Sequence, residues 1–305
     1  MNLIVMTIHY KTYYLGKVIK IGNLKLHPEW ISEVFFNARS VVWFGSSWSF
    51  FDVKEQEMDS VKYFSGKLSK FNPQGEVIIA DPKTKQEIVR PEPNLQIASS
   101  YFIYIPSLAG IAFAKVPSQI DEYQFPRLFC RIINETLFDR LAECQVEYIA
   151  DLHTFAEKLL SLDGIYAISA QIYPPNPIFG PLWESLKDYL KHRRSEKMLV
   201  REDSGDQGTL NTQLPAIVES VAKQTKDKPF ITKTPLPIGD AAILMAADGY
   251  GSGLVKGNRN GQSVQIKTSE TIKNFSLPEE HTQQELFKET YNAFKKIEED
   301  RHMKH

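Results

Sequence analysis

The chain has 305 residues, with 36 Lys and Arg against 37 Asp and Glu and 42% apolar residues, which is long enough for one large or two modest globular domains around a buried core. Charged residues at 24% and aromatics at 11% exclude a disordered or low-complexity chain. A formal net charge of -1 supplies no global field for a polyanion, so any nucleic-acid site has to be a local patch.

Residues 3–10 and 14–21 are β-branched and aromatic runs around Thr12 and Gly16, read as an opening hairpin. An amphipathic stretch follows at 30–38, then the aromatic block 41–51, with Trp43, Phe44, Trp48, Phe50 and Phe51. Aromatics at this density belong in a core, with base stacking as the alternative. Residues 63–71 and 75–80 read as strands, Asp81 and Pro82 open a polar turn, and 90–100, with Pro91 and Pro93, reads as a linker. From residue 100 the rhythm becomes strand and helix: a hairpin over 101–116, a helix over 125–141, a strand at 146–151, and a helix at 153–162 capped by Asp151 or Thr154. A strand at 165–173 ends at Pro174, Pro175 and Pro177; a long helix covers 178–194, a strand 197–200 and a helix 213–225. Residues 241–247, 253–256 and 263–268 read as strands, the last two joined across Asn260-Gly261, a pair that favours positive φ.

A strap over 269–280 leads to an amphipathic helix at 281–300, read either as packing back on its own domain or as an arm for a partner chain. The fold class expected is α+β, a mixed, largely antiparallel sheet with packed helices and a C-terminal amphipathic helix. The domains expected are a mostly β subdomain over 1–98, an α+β domain over 99–275 and a helical arm over 276–305.

Cys130 and Cys144 are the only cysteines and read as free thiols, Cys130 in an apolar helical stretch. No run reaches the roughly 18 apolar residues of a membrane helix: the best, 101–116, is broken by Pro106, Ser107, Gly110 and Lys115. Residues 1–9 lack the basic start and small-residue cleavage site of a leader. The expectation is a cytoplasmic protein without a membrane partner.

Searches for reactive constellations return little. The five glycines of residues 248–261 have neither P-loop nor dinucleotide spacing and run into a strand, which leaves turn chemistry or backbone contacts to a ligand. The histidines form no zinc set, Arg301 and His305 sit in the tail, Asp81 with Lys83 and Lys85 sits in a turn, and no Gly-x-Ser-x-Gly elbow exists. No cofactor and no metal are expected. The basic residues do cluster: Lys187, Lys191, His192, Arg193, Arg194 and Lys197 close the long helix. Their bland role is a solvated helix end complementing the dipole, diluted by Glu184, Asp188 and Glu196. Their functional role is a phosphate-contacting edge joined by Lys256, Arg259 and Lys267, with Asn258 and Asn260 as hydrogen-bonding groups.

The order of several features resembles a known family. An aromatic-Asp element at 48–52, the lead-in Pro91, Pro93, Asn94 and Leu95, the strand 101–104 with Ala112-Phe113, Pro175-Asn176-Pro177, and Asp248-Gly249-Tyr250-Gly251 with Gly257 and Asn258 occur in sequence. Together, over about residues 40 to 275, they resemble a prokaryotic domain-of-unknown-function family sometimes encoded in phage-defence neighbourhoods. The resemblance implies a bacterial cytoplasmic protein acting in antiphage defence beside another gene product, and carries over no catalytic residue.

Three readings follow. The leading one is a binding or sensing module that engages DNA, RNA or a partner defence protein through the basic edge. The second is an effector enzyme, a nuclease or toxin with dispersed active-site residues. The third is a structural subunit, homo-oligomeric or in a complex, using the C-terminal helix and the 101–116 hairpin as its interface.

Overall fold

The computed structural model describes residues 9–21, 28–138, 143–173, 189–190, 192–205, 208–224 and 236–300. Strands β1 (Tyr10–Ile21), β2 (Val41–Trp43), β3 (Ser46–Met58), β4 (Val61–Asp81), β5 (Gln86–Ile105), β6 (Gly110–Ala114) and β7 (Glu143–Tyr148) build a larger sheet. Strands β8 (Gly164–Ile172), β9 (Met198–Asp203), β10 (Gly251–Arg259) and β11 (Gln262–Lys267) form a smaller one in the order β11-β10-β8-β9, and β12 (Asn274–Pro278) returns to the larger. All the strand pairs are antiparallel. The fold is α+β.

Helices cover the sheets because their apolar faces have nowhere else to go. Helices α1 (Pro28–Phe36) and α2 (Gln124–Thr136) lay Phe35, Phe125 and Phe129 against Phe50, Phe64, Phe102 and Phe113 of the larger sheet. The Phe113 and Phe125 rings stack at 4.3 Å. Helix α6 (Gln283–Asp300) covers the opposite face, where Leu286, Phe287, Phe294 and Ile297 meet Tyr13, Leu15, Tyr63 and Ile103. Helices α3 (Leu152–Leu160), α4 (Leu214–Ala222) and α5 (Ile238–Met245) cover one face of the smaller sheet through Phe155, Leu159, Val218 and Ile243. Asp151 is the cap of α3, its carboxylate accepting from the Thr154 amide at 3.0 Å.

Several elements differ from their sequence reading. Residues 10–21 are one strand, not parts of a hairpin, and residues 1–8 lie outside the described set. Gly16 makes no turn; it lets β7 approach, since a Cβ there would meet the Val146 side chain at 2.8 Å and the Glu147 carbonyl at 2.9 Å. The stretch read as a linker belongs to β5, which runs unbroken through residue 98. Pro91 and Pro93 sit on the same alternation of that strand, opposite Glu76 and Gln74, and remove amide donors where the strand is an exposed edge. The expected boundary at 98 therefore falls inside a strand, and β6, β7 and β12 from beyond it share a sheet with β1. The C-terminal helix packs back on that sheet rather than standing free as an arm. Residues 241–247, read as a strand, are helical to Met245 and continue into a wide turn at 246–250. A buried apolar run gives no periodicity by which helix and strand can be told apart.

Two stability predictions follow. Gly251 has φ 151, and a Cβ there would lie 2.0 Å from the Gln171 carbonyl oxygen. Gly251→Ala should cost about 3 kcal/mol in thermal or urea unfolding; an unchanged midpoint would contradict this packing. Burial pushes the Glu147 carboxyl up from 4.5 to about 7, while it accepts a hydrogen bond from Gln145 Nε2. The folded state thus holds a proton that the unfolded chain has released, and stability falls as pH rises between these values, by at most about 1.4 kcal/mol per pH unit. Glu147→Gln should flatten this part of the pH profile, and an equal slope in the variant would show that another group is responsible.

Candidate nucleic-acid interface

The smaller sheet is covered on one side and bare on the other. Alternation puts Ile168, Val200, Val255 and Ile266 under the helices. Ser252, Asn258, Ser263, Gln265, Lys267, Leu199, Arg201 and Asp203 are exposed. An antiparallel sheet tolerates such a wet face because its backbone groups are already paired within the sheet. Register sets the rows across it: Lys267 opposite Leu254, Leu254 opposite Ser169, and Ser169 opposite Arg201. The next row is Gln265, Lys256, Ala167 and Asp203. Lys267 and Arg201 are three strand spacings apart, about 14 Å. Between them lies a shallow depression of about 140 Å³ lined by Ala167, Ser169, Arg201, Asp203, Leu254 and Lys256. Arg201 pairs with Asp203 at 2.7 Å in the open, a contact that solvent weakens and a phosphate can replace.

The basic turn enters at a corner of this face. His192, Arg193, Arg194 and Lys197 are all exposed, and Lys197 immediately precedes β9, whose first residue Met198 pairs with Ile172. The turn closes a helix end: the Arg193 amide donates to the Tyr189 carbonyl and the Ser195 amide to the Leu190 carbonyl, both at 2.9 Å. Between them Arg194 has φ 52. That is the left-handed position after a helix where glycine is favoured, so an arginine is kept there at a conformational cost of about 1 kcal/mol. Lys187 and Lys191 lie outside the described residues.

The structure thus sets Lys197 at the start of β9, in the sheet that carries Lys256 and Lys267, with Arg193 and Arg194 exposed in the turn before it and Leu190 of the preceding helix buried in the core on the covered side. Two other candidates do not join them. Asn258 is on the bare face but opposite Gly164, at the far end of β8 from Ile172, roughly 26 Å away at 3.3 Å per residue. Arg259 turns to the covered side, donates to the hydroxyl of Ser161 at the end of α3, and has a buried Nε without a partner. Its role is to hold the β10–β11 hairpin to α3. The turn of that hairpin does use Asn260 and Gly261 at φ 52 and 74, as the Asn-Gly pair predicts. The glycines of β10 admit close neighbours and build no phosphate cradle.

Arg201 was missed by sequence reasoning because the strand was ended at Val200; its signal is the alternation Leu199, Arg201, Asp203, which continues past that point. The aromatic block divides: Trp48 and Phe50 are buried, whereas Phe44 is 90% exposed at the β2–β3 turn and Trp43 lies under the Arg131 guanidinium at 4.7 Å. On the bare face Tyr166 is the aromatic group, and its hydroxyl is hydrogen-bonded to Ser263 at 2.7 Å. The surface offers charge and hydrogen bonds rather than a stacking platform. Among the described residues no group of His, Cys, Asp and Glu is placed to hold a metal, and no helix is long and apolar enough to cross a membrane. Cys130 and Cys144 are buried and free, with burial pushing the Cys130 thiol up.

No protein-family model matches the chain, and no curated protein matches it.

The two sides of the β10–β11 hairpin should separate in mutagenesis. Arg259→Ala should lower thermal stability by about 1 kcal/mol or more and leave nucleic-acid affinity unchanged. Lys256→Ala with Lys267→Ala should do the reverse, and a double variant that melts early without losing affinity would remove these lysines from the interface.

Proposed function

We propose that the protein is a binding component that engages nucleic acid through phosphate contacts on the bare face of the smaller sheet and its adjoining corner. The observation that carries this reading is the placement of Lys267 and Arg201 in one row and Lys256 in the next on the bare face, with the exposed Arg193, Arg194 and Lys197 leading into β9. Glu196 and Asp203 are the acidic residues set among them. With few aromatics and many cations, such a surface reads backbone rather than sequence. The strained conformation of Arg194 supports it, since glycine would satisfy the same turn at lower cost. The motif order shared with a family found in phage-defence neighbourhoods supports placing this binder in the bacterial cytoplasm, in an antiphage system and beside a partner subunit.

Fluorescence anisotropy with labelled single-stranded and duplex DNA and RNA tests the reading. Four to five phosphate contacts predict that log K falls by about 3 to 4 per decade of salt. Arg193→Ala with Arg194→Ala should reduce affinity about tenfold or more without lowering the melting temperature. Arg194→Gly is the sharper variant: it should raise stability by about 0.5 to 1 kcal/mol while weakening binding. Affinity that is indifferent to salt and to both arginines would show that this surface does not hold nucleic acid.

A further inference from the structure

A second polar site lies on the larger sheet, remote in sequence from the basic turn. The face under α6 is apolar along Tyr13, Leu15, Tyr63 and Ile103. At the start of the helix this character stops. There the sheet and the entry to α6 border a cavity of about 430 Å³ lined by Lys11, Asp52, Lys67, Tyr101, Glu279 and Gln283 among others. That volume is in the range of small-molecule sites.

The side chains are held in place from behind. Lys67 of β4 and Tyr101 of β5 are direct register partners. The β3 register shifts between Phe51 and Lys54, where Asp52 adopts φ 52; this bulge turns Asp52 onto Lys67 at 2.6 Å. Their hydrogen bond holds the Asp52 carboxyl below its ordinary range and raises the Lys67 ammonium. Lys11 reaches the same place from β1: its Nζ lies 5.3 Å from the Tyr101 ring centroid and that of Lys67 5.1 Å. His281 closes the wall. Its Nδ1 is 2.6 Å from the Pro278 carbonyl, which can only accept, so Nδ1 carries a proton, and Nε2 is hydrogen-bonded to the Tyr13 hydroxyl 2.8 Å away. Gln283 is tied to the sheet by the Ser65 hydroxyl at 3.2 Å.

Two ammoniums are thus gathered on one aromatic ring, with Lys54 adding a third charge that has no salt bridge of its own among the described residues. Against these stand Asp52 and Glu279, the latter only loosely paired to Lys11 at 3.8 Å. Three ammoniums against two carboxylates leave the hollow with an excess positive charge that a bound anion would offset. We propose that this cavity binds a small phosphorylated metabolite, a phosphate monoester that also carries hydroxyl groups. The phosphate would lie between Lys11 and Lys67 over Tyr101, and Asp52, Glu279 and Gln283 would accept from the hydroxyls.

The test is isothermal titration and thermal shift on the full chain, with inorganic phosphate, adenosine monophosphate and glucose 6-phosphate as probes. At least one phosphate ester should bind with Kd below about 1 mM, more tightly than phosphate alone. Lys11→Met and Lys67→Met should each weaken it about tenfold, with circular dichroism confirming the fold, while Lys256→Ala with Lys267→Ala leaves it unchanged. Absence of binding by all three probes at that concentration overturns the proposal, as does binding that survives both methionine variants. Loss of ester binding in the Lys256 and Lys267 variant would assign the phosphate to the bare face instead. The same lysine variants, assayed with oligonucleotides, keep this site's failure distinct from that of the nucleic-acid reading.

Discussion

The fold is organised around a strand whose lysine is sealed from solvent. Lys17 of β1 is 3% exposed; its ammonium donates to the Leu108 carbonyl at 2.9 Å and lies 5.4 Å from the Phe294 ring and 5.6 Å from the Tyr250 ring. Those partners come from the turn before β6, from α6, and from the turn that leads into the smaller sheet. A buried ammonium is tolerated only where its charge and protons are met, so Lys17 fixes three separately encoded segments at one point. The strand that carries it is shared in the same way. Tyr13 and Leu15 belong to the core under α6, Val18 to the core under α1 and α2, and Ile19 to the core of the smaller sheet. On one edge β1 bonds to β6, and on the other to β12 and then to β7. Displacing β1 would disturb all three cores together.

That shared strand explains where binding surfaces are left. Helices cover both faces of the larger sheet around β1, whereas the outer part of β4 and β5 stands exposed with Ile78, Ile88 and Val89 at its surface; the apolar 101–116 hairpin and the stripe of α6 are used within the chain, and Ile111, Phe113 and Phe294 have no exposed surface. The two stretches expected to serve a structural subunit as its interface are therefore occupied within the chain. The smaller sheet has helices on one side only, and its other side must be polar to be stable in water. Polarity alone would be met by serine and glutamine, which are present; the lysines and arginines exceed that need.

How much of this the sequence discloses depends on how local the deciding interaction is. The α3 cap at Asp151 and the Asn260-Gly261 turn are settled within a few residues, and both match their sequence reading. The α+β class follows from alternating patterns in the same way. Pro91 and Pro93 mislead because a proline marks a linker or a protected edge equally well, and the choice depends on the pairing of β5 with β4. Residues 241–247 mislead because burial on every side erases periodicity. Arg259 and Lys256 are three residues apart, so alternation along β10 puts them on opposite faces; the sequence reading ends that strand at Lys256, which leaves Arg259 without a face. The cavity is harder still: Lys11, Lys67, Tyr101 and His281 lie on four separate elements, and no spacing along the chain relates them.

The same register logic limits what the net charge can say. A chain with one more acid than base carries no long-range attraction for a polyanion, but attraction at contact depends on charges within about a Debye length of 8 to 10 Å. On the bare face the exposed carboxylate is that of Asp203, two strands from Lys256 and already engaged by Arg201, and Lys267 lies further from it. In the cavity, Lys11 and Lys67 share a ring with two carboxylates at its margin. Sheet pairing thus segregates charge that is balanced along the sequence. It does so on different terms: a broad surface suited to an extended backbone, and a larger hollow suited to a single small anion. Since β1 contributes Lys11 to the cavity and, through Ile19, a side chain to the core beneath the bare face, both depend on the same strand.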